Sequence, residues 1–497
     1  MPGRGSLRGS LILACMLGLL ACEPESGPVQ AHPAAVLPEA CHSILSWAEK
    51  PDAPTMALLR SLKAKGVDRI GIPEIFFEGP GVLAVYTDPD AGWSSPLAFV
   101  DLPGQGEPDL DRLRAGMAKD FVLETQGRRL WMLPKQLAGF PESSAPRLGR
   151  QGWFVGSLQG LPAVRAGEPD PALARGLELH LDLSRLLDIA RSQATKEDRS
   201  ALDLMVGIES FLSLGMRVLP DARGGQGKID LYFRLARSPV GIAAALDVDS
   251  PGHLLEKLIP ELPEDAGYLL MNFRVATLTD ALKAKVFSED GTGIVGVAKN
   301  LSRSLSFLLR GDLPRAFGNQ WAIVDPEGKL GHGADFAASG AYLLSTLDYS
   351  KKLGDTMLAL AKAGSLLGKK VDWEKIGDGL LFETKLFGLD LILVLGKQFG
   401  AISTQASKSV LLDLLAREKS GSGSALPFPK GLPAIPENAV LRGRGHWSLD
   451  FLKAFLPAES GSQDAIRGFL EGLIAEGRRF SFQSLRVEHG LLLQGRW

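Results

Sequence analysis

The chain has 497 residues, 45% of them hydrophobic, and 55 Lys and Arg stand against 57 Asp and Glu for a net charge of −2. That length exceeds what a single hydrophobic core fills, so two or three domains are expected. The balanced charge lacks the basic excess of a nucleic-acid binder. The histidines at 32, 42, 180, 253, 332, 446 and 489 never share the i, i+4 spacing that sets two rings on one helical face for a metal.

The first segment reads as an export signal. Arg4 and Arg8 form a positive n-region, and the run "SLILACMLGLLA" from Ser10 to Ala21 is an apolar stretch of secretory length, too short to span a membrane. The "LLAC" that follows, with Leu19, Ala21 and Cys22, resembles the lipobox of bacterial lipoproteins. The resemblance covers only the leader. It implies that Cys22 becomes the mature N-terminus and carries diacylglycerol and acyl chains, which together anchor a protein stably. Glu23 in place of an Asp after that cysteine points, by the sorting rule of enteric bacteria, to the outer membrane. Cleavage at the earlier "ILAC", ending at Cys15, would leave too short an apolar run. An ordinary signal peptide cut after Ala21 would leave Cys22 as a free thiol. With Cys15 lost and Cys22 lipidated, Cys41 has no intramolecular partner, and its strand-like setting "CHSILSWA" suggests a buried small hydrophobe.

Five segments follow from composition: a signal peptide (1–21), a Pro-rich tether (22–36), an N-terminal α+β domain (37–170), a central repeated domain (171–434) and a C-terminal partial repeat (435–497). The boundaries are Pro-, Gly- and Ser-rich stretches at 160–176 and 418–436. Within them one pattern recurs, a strand followed by a capped amphipathic helix. It is read at "LPEACHSILSWA" from Leu37, at "LELHLDLSRLLDIA" with Asp182 or Ser184 as cap, and at "GIAAALDVDSPGHLLEKLI" with Ser250 as cap and Pro251 behind it. "LPEDAGYLLMNFRVATLTDALKA" from Leu262 repeats it. So do "AYLLSTLDYSKKLGDTMLALAKAG", with Gly364 as the residue past the helix, and "GAISTQASKSVLLDLLAR", with Ser407 as cap. "IPENAVLRGRGHWSLDFLKAF" from Ile435 has only a short tail left, so it is either a truncated unit or the completion of a sheet begun elsewhere. "LDLMVGIESFLSLGMRVL" reads as the most apolar helix. In "KIDLYFRLA", Ile229, Leu231, Phe233 and Leu235 alternate with Asp230, Tyr232 and Arg234, and a Ser-Pro-Val-Gly turn leads on to the next strand. The terminal strands turn at His489 and Gly490. Together these predict an α+β fold of repeated antiparallel sheet units with capped amphipathic helices packed on one face, not a doubly wound parallel sheet.

No chemical signature stands out. "GTGIVG" at Gly291 fits the dinucleotide fingerprint by letter but follows polar "FSED" where a strand is required. "GSLLGKK" from Gly364 has three residues between its glycines where a phosphate loop has four. "DVDSPG" at Asp247 and "DPDAG" at Asp88 lack the closing glutamate of a calcium loop and read as caps and turns. Cys41 and His42 make no dyad on opposite faces of a strand, and His446 at a helix entry reads as structural. The expectation is therefore no catalytic residue, cofactor or metal, and lipidation at Cys22. The body resembles, diffusely, bacterial extracytoplasmic proteins with recurring strand and helix units, which implies no activity or site. The leading reading is a lipid-anchored envelope protein with a non-enzymatic binding or scaffold role. Its partners would be the membrane, through acyl chains on Cys22, and an envelope protein or an apolar ligand, but no nucleic acid. An envelope carrier of lipid or another apolar ligand in a cavity between sheet and helices is the alternative, and a hydrolase the third.

Overall fold

The computed structural model describes residues 36–47, 50–51, 56, 73–103, 110–114, 119–148, 177–193, 207–220, 227–246, 254–263, 266–286, 313–329, 336–366, 371–386, 389–420, 439–446, 479–487 and 490–496. Its strands are β1 (Cys41–Trp47), β2 (Gly81–Thr87), β3 (Ser94–Asp101), β4 (Phe121–Gln126), β5 (Arg129–Pro134), β6 (Leu177–Asp182), β7 (Phe211–Pro220), β8 (Gly227–Leu235) and β9 (Gly267–Asn272). The second half supplies β10 (Phe317–Asp325), β11 (Tyr342–Leu347), β12 (Val371–Ile376), β13 (Gly379–Leu386), β14 (Leu389–Leu395), β15 (Phe399–Thr404), β16 (Ala439–His446), β17 (Arg479–Val487) and β18 (Gly490–Arg496). The helices that matter for packing are α1 (Leu183–Gln193), α2 (Gly241–Leu246), α3 (Leu254–Leu258), α4 (Val275–Val286), α5 (Ser350–Leu366) and α6 (Lys408–Ser420).

Among the described residues all 18 strands belong to one sheet and every pairing in it is antiparallel, so the fold is α+β. Followed from neighbour to neighbour, the order is β4, β5, β3, β2, β1, β6, β7, β8, β18, β17, β16, β9, β10, β11, β15, β14, β13, β12. The last three strands of the chain thus lie in the middle, with β18 on β8 and β16 on β9. Of the two options for the C-terminal segment, it completes a sheet begun elsewhere.

Alternation along each strand shows which residues share a face. On β11, Tyr342 and Leu344 pack with Leu255 and Leu258 of α3, with the adjoining Ile259, and with Leu411 and Leu414 of α6. Leu347, on the other face, packs with Leu353 and Ala361 of α5. Helices therefore cover both faces here, which corrects the expectation of one covered face. The reason lies in the strands: β13 and β14 are apolar at both sets of positions, with Leu381, Ile392 and Val394 on one face and Phe382, Leu393 and Leu395 on the other. A strand of that composition is stable only when buried on both sides. At the other end of the sheet, Val82, Leu97, Phe99, Trp131 and Leu133 form a core on one face, while Ala98, Val100, Leu130 and Met132 gather around Phe76 on the other.

Several local expectations are met. The α1 helix is capped by Asp182, whose Oδ1 accepts the Arg185 amide at 3.0 Å. Strands precede helices at β6–α1, β9–α4, β11–α5 and β15–α6, and β17 pairs with β18 with Val487 opposite Gly490. Others are corrected. "GIAAAL" is the helix α2, in keeping with the high helix propensity of its alanines, so no turn passes straight from β8 into another strand. Within 202–219, read as a helix, residues 208–210 form a 3-10 turn and β7 runs from 211; Leu214, Met216 and Val218 alternate there with Ser213, Gly215 and Arg217. Gly364 lies inside α5. Ser407 sits in the 3-10 turn before α6 and donates its hydroxyl to the Gly340 carbonyl.

Candidate functional site

Residues directly opposite each other on antiparallel neighbours stand on the same face, so a row can be followed across the sheet. From β4 to β2 one such row reads Glu124, Trp131, Phe99 and Val82. Beyond β9 the same row reads Leu270, Ala322, Leu344, Ala401, Val394 and Leu381. Between these two largely apolar ends, on β1, β6, β7, β8, β18, β17 and β16, it is polar throughout: Ser46, Glu178, Arg217, Asp230, Gln494, Gln483 and Arg442.

This polar stretch is buried. Arg217 and Asp230 are each 6% exposed, Arg442 7% and Gln483 0%. Such groups cost free energy away from water unless they find partners, and most of the row is paired. Arg217 donates from Nε and Nη2 to Glu178 Oε1 at 3.0 and 2.9 Å. Gln483 Nε2 donates to Gln494 Oε1 at 3.2 Å. The α3 helix lies against the sheet here, and its Glu256 pairs with Arg442. One step along β16, Arg444 Nη2 donates to the Pro263 carbonyl at 2.8 Å, and its guanidinium stands 5.6 Å from the centre of the Tyr268 ring. Burial raises the Tyr268 phenol above its ordinary value, with Arg442 and Arg444 pulling the other way, so this hydroxyl stays protonated at neutral pH. Unpartnered buried atoms on this face include Ser46 Oγ, Gln483 Oε1 and Arg496 Nε and, at its apolar ends, Trp131 Nε1 and Tyr342 Oη.

The opposite face of the same strands is apolar. Leu177, Met216, Val218 and Ile229 cluster with Trp47, and Leu235 and Leu491 cluster with Ala243 of α2. The alternation of "KIDLYFRLA" is therefore as expected, but the face with Asp230 and Tyr232 is enclosed as well. Each strand shows its own polar position in sequence. What sequence does not show is that the positions line up, because the row depends on which distant strands become neighbours.

A second polar group surrounds His42. Its Nδ1 meets Ser43 Oγ and its Nε2 meets Thr87 Oγ1, both at 2.9 Å, and Thr87 Oγ1 is 2.7 Å from Ser94 Oγ. Burial lowers the imidazole below its ordinary value, the nearby Arg185 lowers it further, and Asp182 opposes both. A ring so placed resists taking up a proton, which suits a hydrogen-bonding post better than a general base. Cys41 is buried in the core with Ile44 and Val82, and burial pushes its thiol far above the usual range, the behaviour of an inert hydrophobe.

The remaining sequence motifs are placed as follows. "DPDAG" is the β2–β3 turn, in which Asp88 Oδ1 accepts the amides of Asp90 and Ala91 at 2.9 and 2.7 Å. His446 ends β16. "GSLLGKK" begins in the last turn of α5, and its end lies outside the described residues, as do "GTGIVG", "DVDSPG" with Ser250 and Pro251, and the leader with Cys22. Among the described residues no group of three or more His, Cys, Asp or Glu is placed to hold a metal, and no helix is long and apolar enough to cross a membrane. No known protein family, characterised protein or solved structure matches the chain.

Proposed function

We propose that the chain is a lipid-anchored protein of the bacterial cell envelope, held at the outer membrane through acyl chains on Cys22, whose body serves binding or scaffolding without catalysis. The observation that carries this is the leader: a basic n-region, a short apolar run and "LLAC" coincide at one place. The body supports a repeated plan. Strands β1, β2 and β3 pair in chain order, and so do β6, β7 and β8, then β9, β10 and β11, then β16, β17 and β18. In the second and third of these sets a helix, α1 or α4, follows the first strand. We read them as four copies of one strand–helix–strand–strand unit. First strands meet first strands at β1–β6 and β16–β9, and third strands meet at β8–β18. A chain of units joined edge to edge in this way builds a broad surface, as a scaffold needs.

The enclosed face at the centre of the sheet is polar, which counts against the apolar cavity of a lipid carrier there. The test is metabolic labelling. The full-length chain, expressed in a bacterium fed labelled palmitate, should take up the label and sediment with membranes, and Cys22→Ser should lose both properties. An unlabelled wild-type chain would overturn the anchor.

A further inference from the structure

Among the described residues the sheet ends at β4, which pairs with β5 alone, and at β12, which pairs with β13 alone. A two-residue turn at Gly377 (φ 61°) and Asp378 joins β12 to β13. Ile376 and Gly379 therefore exchange both of their backbone hydrogen bonds, as do Glu374 with Leu381 and Asp372 with Glu383. The amides and carbonyls of Val371, Trp373 and Lys375 then point away from the sheet. This edge is open: Asp372, Trp373, Glu374 and Lys375 are all exposed. Edges kept from pairing carry a proline, a bulge or charges along their length. Lys375 guards one end of β12, yet the strand keeps unbroken register with β13 and places an aromatic ring in its middle. Trp373 is 48% exposed, alone among the described tryptophans in standing out in solvent.

We propose that β12 is a docking edge for an extended segment of a partner protein, one that carries Lys or Arg at alternate positions with apolar residues between them. Such a segment adds a strand to the sheet and takes up the outward amides and carbonyls of β12. The two faces of β12 set its side chains. On one face Asp372 and Glu374 stand out together, so the residues opposite them should be basic. On the other, Trp373 lies beside Phe382, which packs with Leu353 and Ala361 of α5, so an apolar residue opposite Trp373 lengthens that core. A second copy of the chain fits less well. Antiparallel pairing sets residues of one face opposite each other. In the registers of fullest overlap, β12 against itself opposes Asp372 to Glu374, or Glu374 to its own copy. The β4 edge is no better, because Glu124 begins the row that runs on through Leu381 to Glu374. Pairing of β4 with β12 between copies thus sets acid on acid as well.

This edge gives the binding role proposed above a partner and does not depend on the lipid anchor, so the two fail separately. The experiment titrates the full-length chain into a short fluorescent peptide of alternating Lys and Val, read by anisotropy. Saturable binding is expected, and the same peptide with Glu for Lys should not bind. Trp373→Ser, at an exposed position, should weaken binding by about tenfold or more. The double variant Asp372→Lys, Glu374→Lys should reverse the preference and take the Glu peptide. Backbone methylation supplies the geometric test. A Val opposite Trp373 turns its amide toward β12, and a Lys opposite Glu374 turns its amide away, so methylated Val amides should abolish binding and methylated Lys amides should spare it. The proposal is overturned if the Lys peptide does not bind saturably, if both variants bind it like wild type, or if the Val-methylated peptide binds as well as its parent. Failure of the palmitate test would leave these outcomes unchanged.

Discussion

Glu256 and Arg442 bind α3 to the middle of the sheet, and removing either one should cost far more than removing both. Their side chains are 13% and 9% exposed, so each charge depends on the other for compensation. Glu256→Leu takes the pairing carboxylate from a guanidinium buried on β16, and Arg442→Met takes that guanidinium from the buried carboxylate of α3. Each single change should destabilise by about 3–5 kcal/mol. The double variant replaces the pair with apolar groups beside Leu255, Leu258 and Tyr268, and it should come out near wild type or be more stable by about 1–4 kcal/mol. Urea unfolding followed by circular dichroism and tryptophan fluorescence on all four proteins gives the coupling. Single variants that each lose less than about 1 kcal/mol, as an exposed pair would, would refute the buried geometry.

Two further outcomes follow from titrating groups. Burial and Arg185 hold the His42 pKa below its ordinary 6.5, so the unfolded chain takes up a proton first as the pH falls. The stability this adds is complete above about pH 6.5 and is lost as pH falls through the folded-state value. Melts at about pH 7.5 and about pH 5 should therefore show a larger loss in wild type than in His42→Gln, and equal losses would contradict the assignment. Cys41, with its thiol pushed far up by burial, should resist maleimide in the native protein and react fully in urea. Rapid native labelling of that residue would place it outside the core.

Local chemistry carried much of the fold into view. The period-2 runs at Leu177–Leu181 and Ile229–Leu235 and the Asp182 cap are signals spanning a few residues, and the structure keeps them. Where such signals competed, sequence misled. Apolar residues spread over 202–219 fit a helix as readily as a strand, and the alternation of Leu214, Met216 and Val218 with Ser213, Gly215 and Arg217 decides for β7. Small residues ahead of a predicted cap suggested a strand at "GIAAAL", where alanine's own preference made a helix. The two-sided cores around β13 and β14 were readable in principle, because a strand with no polar face has nowhere to meet water. The polar row was not readable. Asp230 faces Gln494, and Arg442 faces both Gln483 and Leu270, only after strands from remote parts of the chain have paired in register. Neither composition nor spacing records that pairing.

The position of the chain's end is what everything at the centre depends on, since β18 and β16 join the two halves of the sheet and complete the polar row. Hydrogen exchange of the intact protein, read on peptides covering 490–496 and 227–235, tests it most directly. The expected result is exchange of the C-terminal strand as slow as that of β8, because its amides sit between two neighbours, β8 and β17. Amides of 490–496 that exchange at once, as those of a free tail do, would contradict it.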